Sequence, residues 1–148
     1  MTPLAGSRVL PFPPSHVAAS LSDAAFLVAS LDRVEQVIES SPDRAVWKTR
    51  LGSGLFSSSV LVTLAVTARD ASSARFTAVS KGAGGGGTAE IKLQFHPVDA
   101  GTEVRYHVDV IERTGFLKIV SQGMIHAAAT AVMDETWPAI ARKLAAGT

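Results

Sequence analysis

The chain has 148 residues, 14 Lys and Arg against 13 Asp and Glu, no cysteine, and 47% hydrophobic against 18% charged residues. That length predicts one domain, residues 1–148, with a core that needs neither disulfides nor a structural metal, and the absence of cysteine excludes thiolate catalysis and zinc–thiolate sites. A net charge of +1 without any basic run argues against a nucleic-acid partner, and the high apolar share predicts either a large core or apolar surface that lines something. The start MTPLAGSRV carries no leader pattern and no segment is long and apolar enough to span a bilayer, so a soluble, cytoplasmic protein is expected.

In chain order, residues 8–12 read as a first strand, stopped by Pro11, Pro13 and Pro14, which remove amide donors. Ser15 is the expected N-cap of a short helix through Ser22, and Asp23 that of a second, AAFLVASL. Residues 33–39 and 44–51 predict two strands joined by SSPD, and the β-branched run over 57–69 predicts a long one. Strands over 74–81 and 88–96 follow, then EVRYHVDVI with Val104, Tyr106, Val108 and Val110 on one face. HPVDAGTE joins the last two as a tight hairpin, and parity favours pairing His96 with Glu103, Gln94 with Arg105 and Lys92 with His107 on a solvated face. From Gly115 a helical period is expected. It would place Phe116, Ile119, Val120, Gly123, Met124, Ala127, Ala131, Trp137, Ala141 and Leu144 along one face of a helix about 45 Å long, kinked by Pro138.

Between two of these strands lies SKGAGGGGTAE, in which Gly82, Gly84 and Gly87 satisfy G-x-G-x-x-G. A dinucleotide loop needs a helix after it, because the pyrophosphate rests on amides at the helix N-terminus. Here the alternation of Ala89, Ile91, Leu93 and Phe95 with Glu90, Lys92, Gln94 and His96 predicts a strand, so nucleotide binding is not expected. Glycines between strands serve either to bend a sheet or to form a flexible tip, and the pattern leaves both open.

The order of one strand, two short helices, six strands and a long helix predicts an antiparallel sheet with helices on one face. Together with SKGAGGGGTAE, the L-x-F-x-P-V-D-A-G-T-E-V run from Leu93 to Val104, the glycine at 115 and AAATAVMDETW over 127–137, it resembles the START-like (SRPBCC, helix-grip) superfamily. More closely, it is similar to the CoxG-like family of carbon monoxide dehydrogenase accessory proteins. The resemblance implies an α+β fold in which a curved antiparallel sheet of about seven strands wraps around the C-terminal helix and encloses an apolar cavity. It further implies a non-enzymatic binder of a lipid- or quinone-like molecule, without a cofactor. Such a protein would be an accessory or recruitment factor for a molybdenum hydroxylase complex at the inner membrane face. Two departures fall near the expected cavity mouth: Ala18 stands where the family has tryptophan, and no Pro-Gly pair follows the second helix.

On that reading the ligand-binding walls are Phe76, Ile91, Leu93, Phe95, Tyr106 and Val108 from the strands, with Val120, Gly123, Met124, Ala127 and Trp137 from the helix. The same residues could instead pack against one another. No nucleophile and base can be paired, and no metal-ligand spacing is present, so neither a catalytic nor a metal site is expected. Tyr106 and Asp134 are the candidate acid or base groups should the cavity resemble that of a polyketide cyclase or dehydratase. A third alternative is a scaffold that docks on a partner through AAFLVASL.

Overall fold

The alternation of apolar and polar side chains over residues 89–95 and 104–110 pairs two strands with their apolar faces in register, as parity requires. The computed structural model describes residues 3–51 and 58–147. Its elements are β1 (Leu4–Leu10), α1 (Pro14–Leu21), α2 (Ala24–Ala29), β2 (Val34–Ser40), β3 (Arg44–Leu51), β4 (Ser58–Arg69), β5 (Ser73–Gly82), β6 (Gly85–Val98), β7 (Gly101–Gly115), a 3-10 turn (Phe116–Lys118) and α3 (Gln122–Ala146). The strands form one curved antiparallel sheet of seven, in the order β1-β7-β6-β5-β4-β3-β2. His96 faces Glu103, Gln94 faces Arg105 and Lys92 faces His107, the expected register. Register shifts at Val66/Ala68 and Thr88/Ala89 bend the sheet, since a bulge adds local twist.

The glycine stretch lies within this sheet. Gly82 pairs with Gly85 around a two-residue Ala83–Gly84 turn, and Gly85 takes φ +128°, which L side chains avoid. Gly86 is buried, and a Cβ there would fall on the Ser80 carbonyl oxygen of β5. Gly82, Gly85, Gly86 and Gly87 are thus paired strand, and Gly84 lies in the hairpin turn between them.

Several boundaries differ from expectation for local reasons. β1 begins at Leu4, because it gains a full ladder against β7 down to Leu4–Val108. Pro13, in extended conformation, precedes α1 with Pro14 at its first position, so Ser15 is inside the helix. Asp23 does cap α2, accepting from the Ala25 and Phe26 amides at 2.8 and 3.2 Å. Ser57, expected to open β4, lies outside the described residues, as does the side chain of Phe116. The long helix starts at Gln122, not Gly115. The strand persists to Gly115, whose φ of +60° turns the chain out of the sheet, and Ser121 then caps α3 by accepting from the Met124 amide at 3.2 Å. At 25 residues α3 spans about 37 Å and runs on through Pro138.

The core occupies one half of the concave face. Phe76, Leu93, Phe95 and Val104 from the sheet meet Val17 and Leu21 of α1, Val28 of α2, and Trp137, Ile140 and Leu144 of α3. His16 Nε2 lies 3.0 Å from the Leu144 carbonyl oxygen and joins α1 to the last turn of α3. Truncating Phe76, which is 2% exposed, to alanine should cost about 3–5 kcal/mol.

Candidate functional site

Inward-facing positions across the sheet form rows. Ala45, Leu64, Ala78, Ala89 and Val110 make one row, and Val62, Ser80, Gly87 and Arg113 make the next towards the Gly115 end. Ala78 and Ala89 are direct partners, as are Ser80 and Gly87, so the floor of this half carries its smallest side chains side by side. Beyond them, towards the core, stand Ile91 and Val108, then Leu93 and Tyr106.

Opposite this floor runs the first half of α3. Its inward stripe is Ile125, Ala129, Met133, Trp137, Ile140 and Leu144, a spacing of three or four residues that keeps one face of a helix. Burial along the stripe is uneven. Trp137, Ile140 and Leu144 are buried, whereas Ile125, Ala129 and Met133 are only half-buried. On the sheet, Ala89, Val108 and Val110 are half-buried too, and with Ile125 and Ala129 they stand outside the core cluster. These five apolar residues thus remain half-buried, whereas Trp137, Ile140 and Leu144 at the other end of the same helix are buried.

The boundary between packed and unpacked halves is built from Tyr106 and Trp137, whose rings lie 5.8 Å apart. Tyr106 fits there because β1 presents Gly6 opposite it, where a Cβ would meet the phenol oxygen. At the same level two ion pairs tie α3 to both margins of the sheet: Arg8 of β1 to Asp134 at 2.9 Å, and Arg33, just before β2, to Glu135 at 2.7 Å. Both pairs are largely exposed, so each stabilises by less than about 1 kcal/mol.

The expected wall residues divide into three groups. Ile91, Tyr106 and Val108 are half-buried and face the loosely packed half. Phe76, Leu93, Phe95 and Trp137 belong to the core cluster. The helix face is corrected: Gly123, Met124, Ala127 and Ala131 are exposed, Met124 to 65%, and Val120 is half-buried in the segment before the helix. Ala127 is two residues from both Ile125 and Ala129, which at about 100° per residue puts it on the opposite side of α3. Asp134, the candidate acid or base on the cyclase-like alternative, is exposed and paired with Arg8. AAFLVASL faces inward: Ala24 and Val28 are buried and Phe26 and Leu27 pack on the core, because α2 closes the end of the sheet.

The outer face of the sheet carries two open depressions of about 390 Å³ each, which share Lys92 and His107. Gln94, Arg105 and Ser7 surround one, and Arg75, Glu90 and Asp109 the other. Their mixed charge suits solvent, not an apolar ligand. Among the described residues no group of His, Asp and Glu could hold a metal ion, and no helix is long and apolar enough to cross a membrane.

No family model and no curated protein matches the chain. Among solved structures, a conserved protein from Geobacillus kaustophilus superposes with a TM-score of 0.83 at 17% identity, covering 97% of this chain and 95% of that one. A START superfamily protein from Mycobacterium smegmatis gives 0.71 at 12% identity over 99% of both chains. A protein from Rhodobacter sphaeroides gives 0.66 at 21% identity, over 99% of this chain and 94% of that one. At these identities the likeness is one of architecture: the chain has the START-like, helix-grip fold.

Proposed function

We propose that the protein is a non-enzymatic binder of a hydrophobic small molecule, held between the first half of α3 and the floor formed by Ala89, Val108 and Val110. The observation that carries this reading is the pair of facing, half-buried apolar surfaces that do not join the core. Exposing apolar surface costs about 25 cal/mol per Å², and an apolar ligand between the two surfaces would remove that cost for both. Tyr106 and Trp137 would form the inner end of the site, with Ile91 and Met133 as side walls.

The resemblance of residues 80–137 to the CoxG-like family supports a finer reading, in which the bound molecule is lipid- or quinone-like and the protein is an accessory to a molybdenum hydroxylase complex at the membrane. Co-purification with such a complex tests that part separately. A displacement assay tests the binding reading. The protein is saturated with an anilinonaphthalene dye, and straight-chain alcohols are expected to displace it with affinity that rises with chain length, by about 0.8 kcal/mol per buried CH₂. Native mass spectrometry should then find one alcohol per chain, whereas no saturable displacement would overturn the reading.

A further inference from the structure

The bulge between β6 and β7 has a chemical consequence. Val104, Tyr106, Val108 and Val110 face inward, so simple alternation would turn Glu112 inward and Arg113 outward. β7 instead carries one extra residue, Ile111, opposite the Thr88–Ala89 step, and a one-residue shift exchanges the two faces. Glu112 is exposed and pairs with outward-facing Thr88, while Arg113 pairs with Gly87 on the concave side and is half-buried. The chain thus turns an acid out of this half of the sheet and a guanidinium in.

Arg113 is only partly used by the protein. Its Nη1 donates to the Leu117 and Val120 carbonyl oxygens at 3.4 and 3.2 Å, which fixes the guanidinium under the segment that leads into α3. Among the described residues its Nε and Nη2 have no hydrogen-bond partner, and no carboxylate pairs with it, whereas Arg8 and Arg33 each hold one. Beside it the row continues with Gly87, which has no side chain, and Ser80, whose hydroxyl makes only a long 3.4 Å bond to the Gly87 carbonyl. Six residues along β6, from Gly87 to Leu93, separate the rows of Arg113 and Tyr106, a distance of about 20 Å at 3.3 Å per residue. Donors at one end of these rows and apolar side chains up to an aromatic stop at the other fit an amphipathic molecule.

We infer that the ligand is a chain with a carboxylate head, its oxygens bound by Arg113 Nε and Nη2 with the Ser80 hydroxyl beside them, and its tail running towards Tyr106 and Trp137. A guanidinium presents parallel N–H donors that match a carboxylate, and partial burial strengthens the pair. This assignment rests on the binding reading above and adds the chemical class of the headgroup to it.

The test compares dodecanoate with dodecan-1-ol, which share a tail, by dye displacement at about pH 8, where the free carboxyl is ionised. The wild type is expected to prefer dodecanoate by about tenfold or more. Arg113→Gln is expected to lose that preference while binding dodecan-1-ol as the wild type does, which separates headgroup recognition from any loosening of the segment that Arg113 anchors. Equal affinity of the wild type for both probes, or a preference that survives in Arg113→Gln, overturns the headgroup assignment alone. Failure of both probes to displace the dye overturns the binding reading and this assignment with it. Should Arg113→Gln not fold, the wild type gives the answer by NMR: dodecanoate, but not dodecan-1-ol, should shift the Arg113 Nε–Hε resonance, and identical spectra with the two probes overturn the assignment.

Discussion

Ala89→Leu places three further carbons on the sheet floor, at a half-buried position between Ala78 and Val110 and outside the core cluster. In a filled core that change would overpack and cost about 1–3 kcal/mol. Ala89 and the helix residues Ile125 and Ala129 are only half-buried, so on the binding reading the new side chain has room. Burying three methylene-sized groups fully would contribute about 2.4 kcal/mol at about 0.8 kcal/mol each. At half burial the gain is about 1 kcal/mol, and for a chain of this size that raises Tm by about 2–4 °C. The same side chain occupies ligand space, so affinity for a long-chain alcohol should fall by at least about tenfold, equivalent to about 1.4 kcal/mol. Ala127→Leu, on the exposed side of the same helix, is the control and should leave stability within about 0.5 kcal/mol and affinity unchanged. Thermal and urea unfolding with and without the alcohol measure all of these. A destabilised Ala89→Leu variant that binds normally would refute the reasoning, because it would mean that the floor is already packed.

Gly86→Ala should destabilise by about 1–3 kcal/mol or more, since its Cβ meets the backbone of Ser80. Gly84→Ala has open space and an ordinary φ, and should be neutral or stabilise by up to about 1 kcal/mol; equal effects at the two sites in urea melts would contradict the close approach of β6 to β5. Asp23→Ala removes the α2 cap and should cost about 1 kcal/mol, measured as a lower urea midpoint at unchanged m. The Asp70 carboxyl is held below its ordinary value by the Ser72 amide at 2.8 Å, then by the Ser72 hydroxyl. Its folded pKa is therefore depressed, and its contribution to stability is present above the unfolded value and lost as pH falls through the folded one. Carboxyl NMR should find that lowered midpoint, and an unshifted one would remove the turn's hydrogen bonds from the account.

Much of the fold was legible because strand parity is strict. The alternation over residues 89–95 and 104–110 set the β6–β7 register down to His96–Glu103, and Asp23 announced the α2 cap. For the candidate site, the inward direction of Ile91, Tyr106 and Val108 was legible on the sheet side, and the inward face of the helix was not. α3 is apolar on several sides over residues 123–133, so Gly123, Met124, Ala127 and Ala131 make as plausible a stripe as Ile125, Ala129 and Met133. Phasing back from Trp137 by steps of four, through Met133, Ala129 and Ile125, would have found the inward face. Arg113 was hidden for another reason. Its direction depends on a bulge, and no residue near Ile111 signals one, since neither glycine nor proline stands between Val104 and Arg113.

The most direct measurement of the central claim is methyl NMR of the protein titrated with dodecan-1-ol, which lacks the carboxylate and so tests the apolar binding surface by itself. The account predicts saturable intermolecular NOEs from the alkyl chain to Val108, Val110, Ile125, Ala129 and Met133, with none to the exposed Ile111, Ile119 and Met124. Contacts confined to those exposed methyls, or no saturable contact at all, would contradict it.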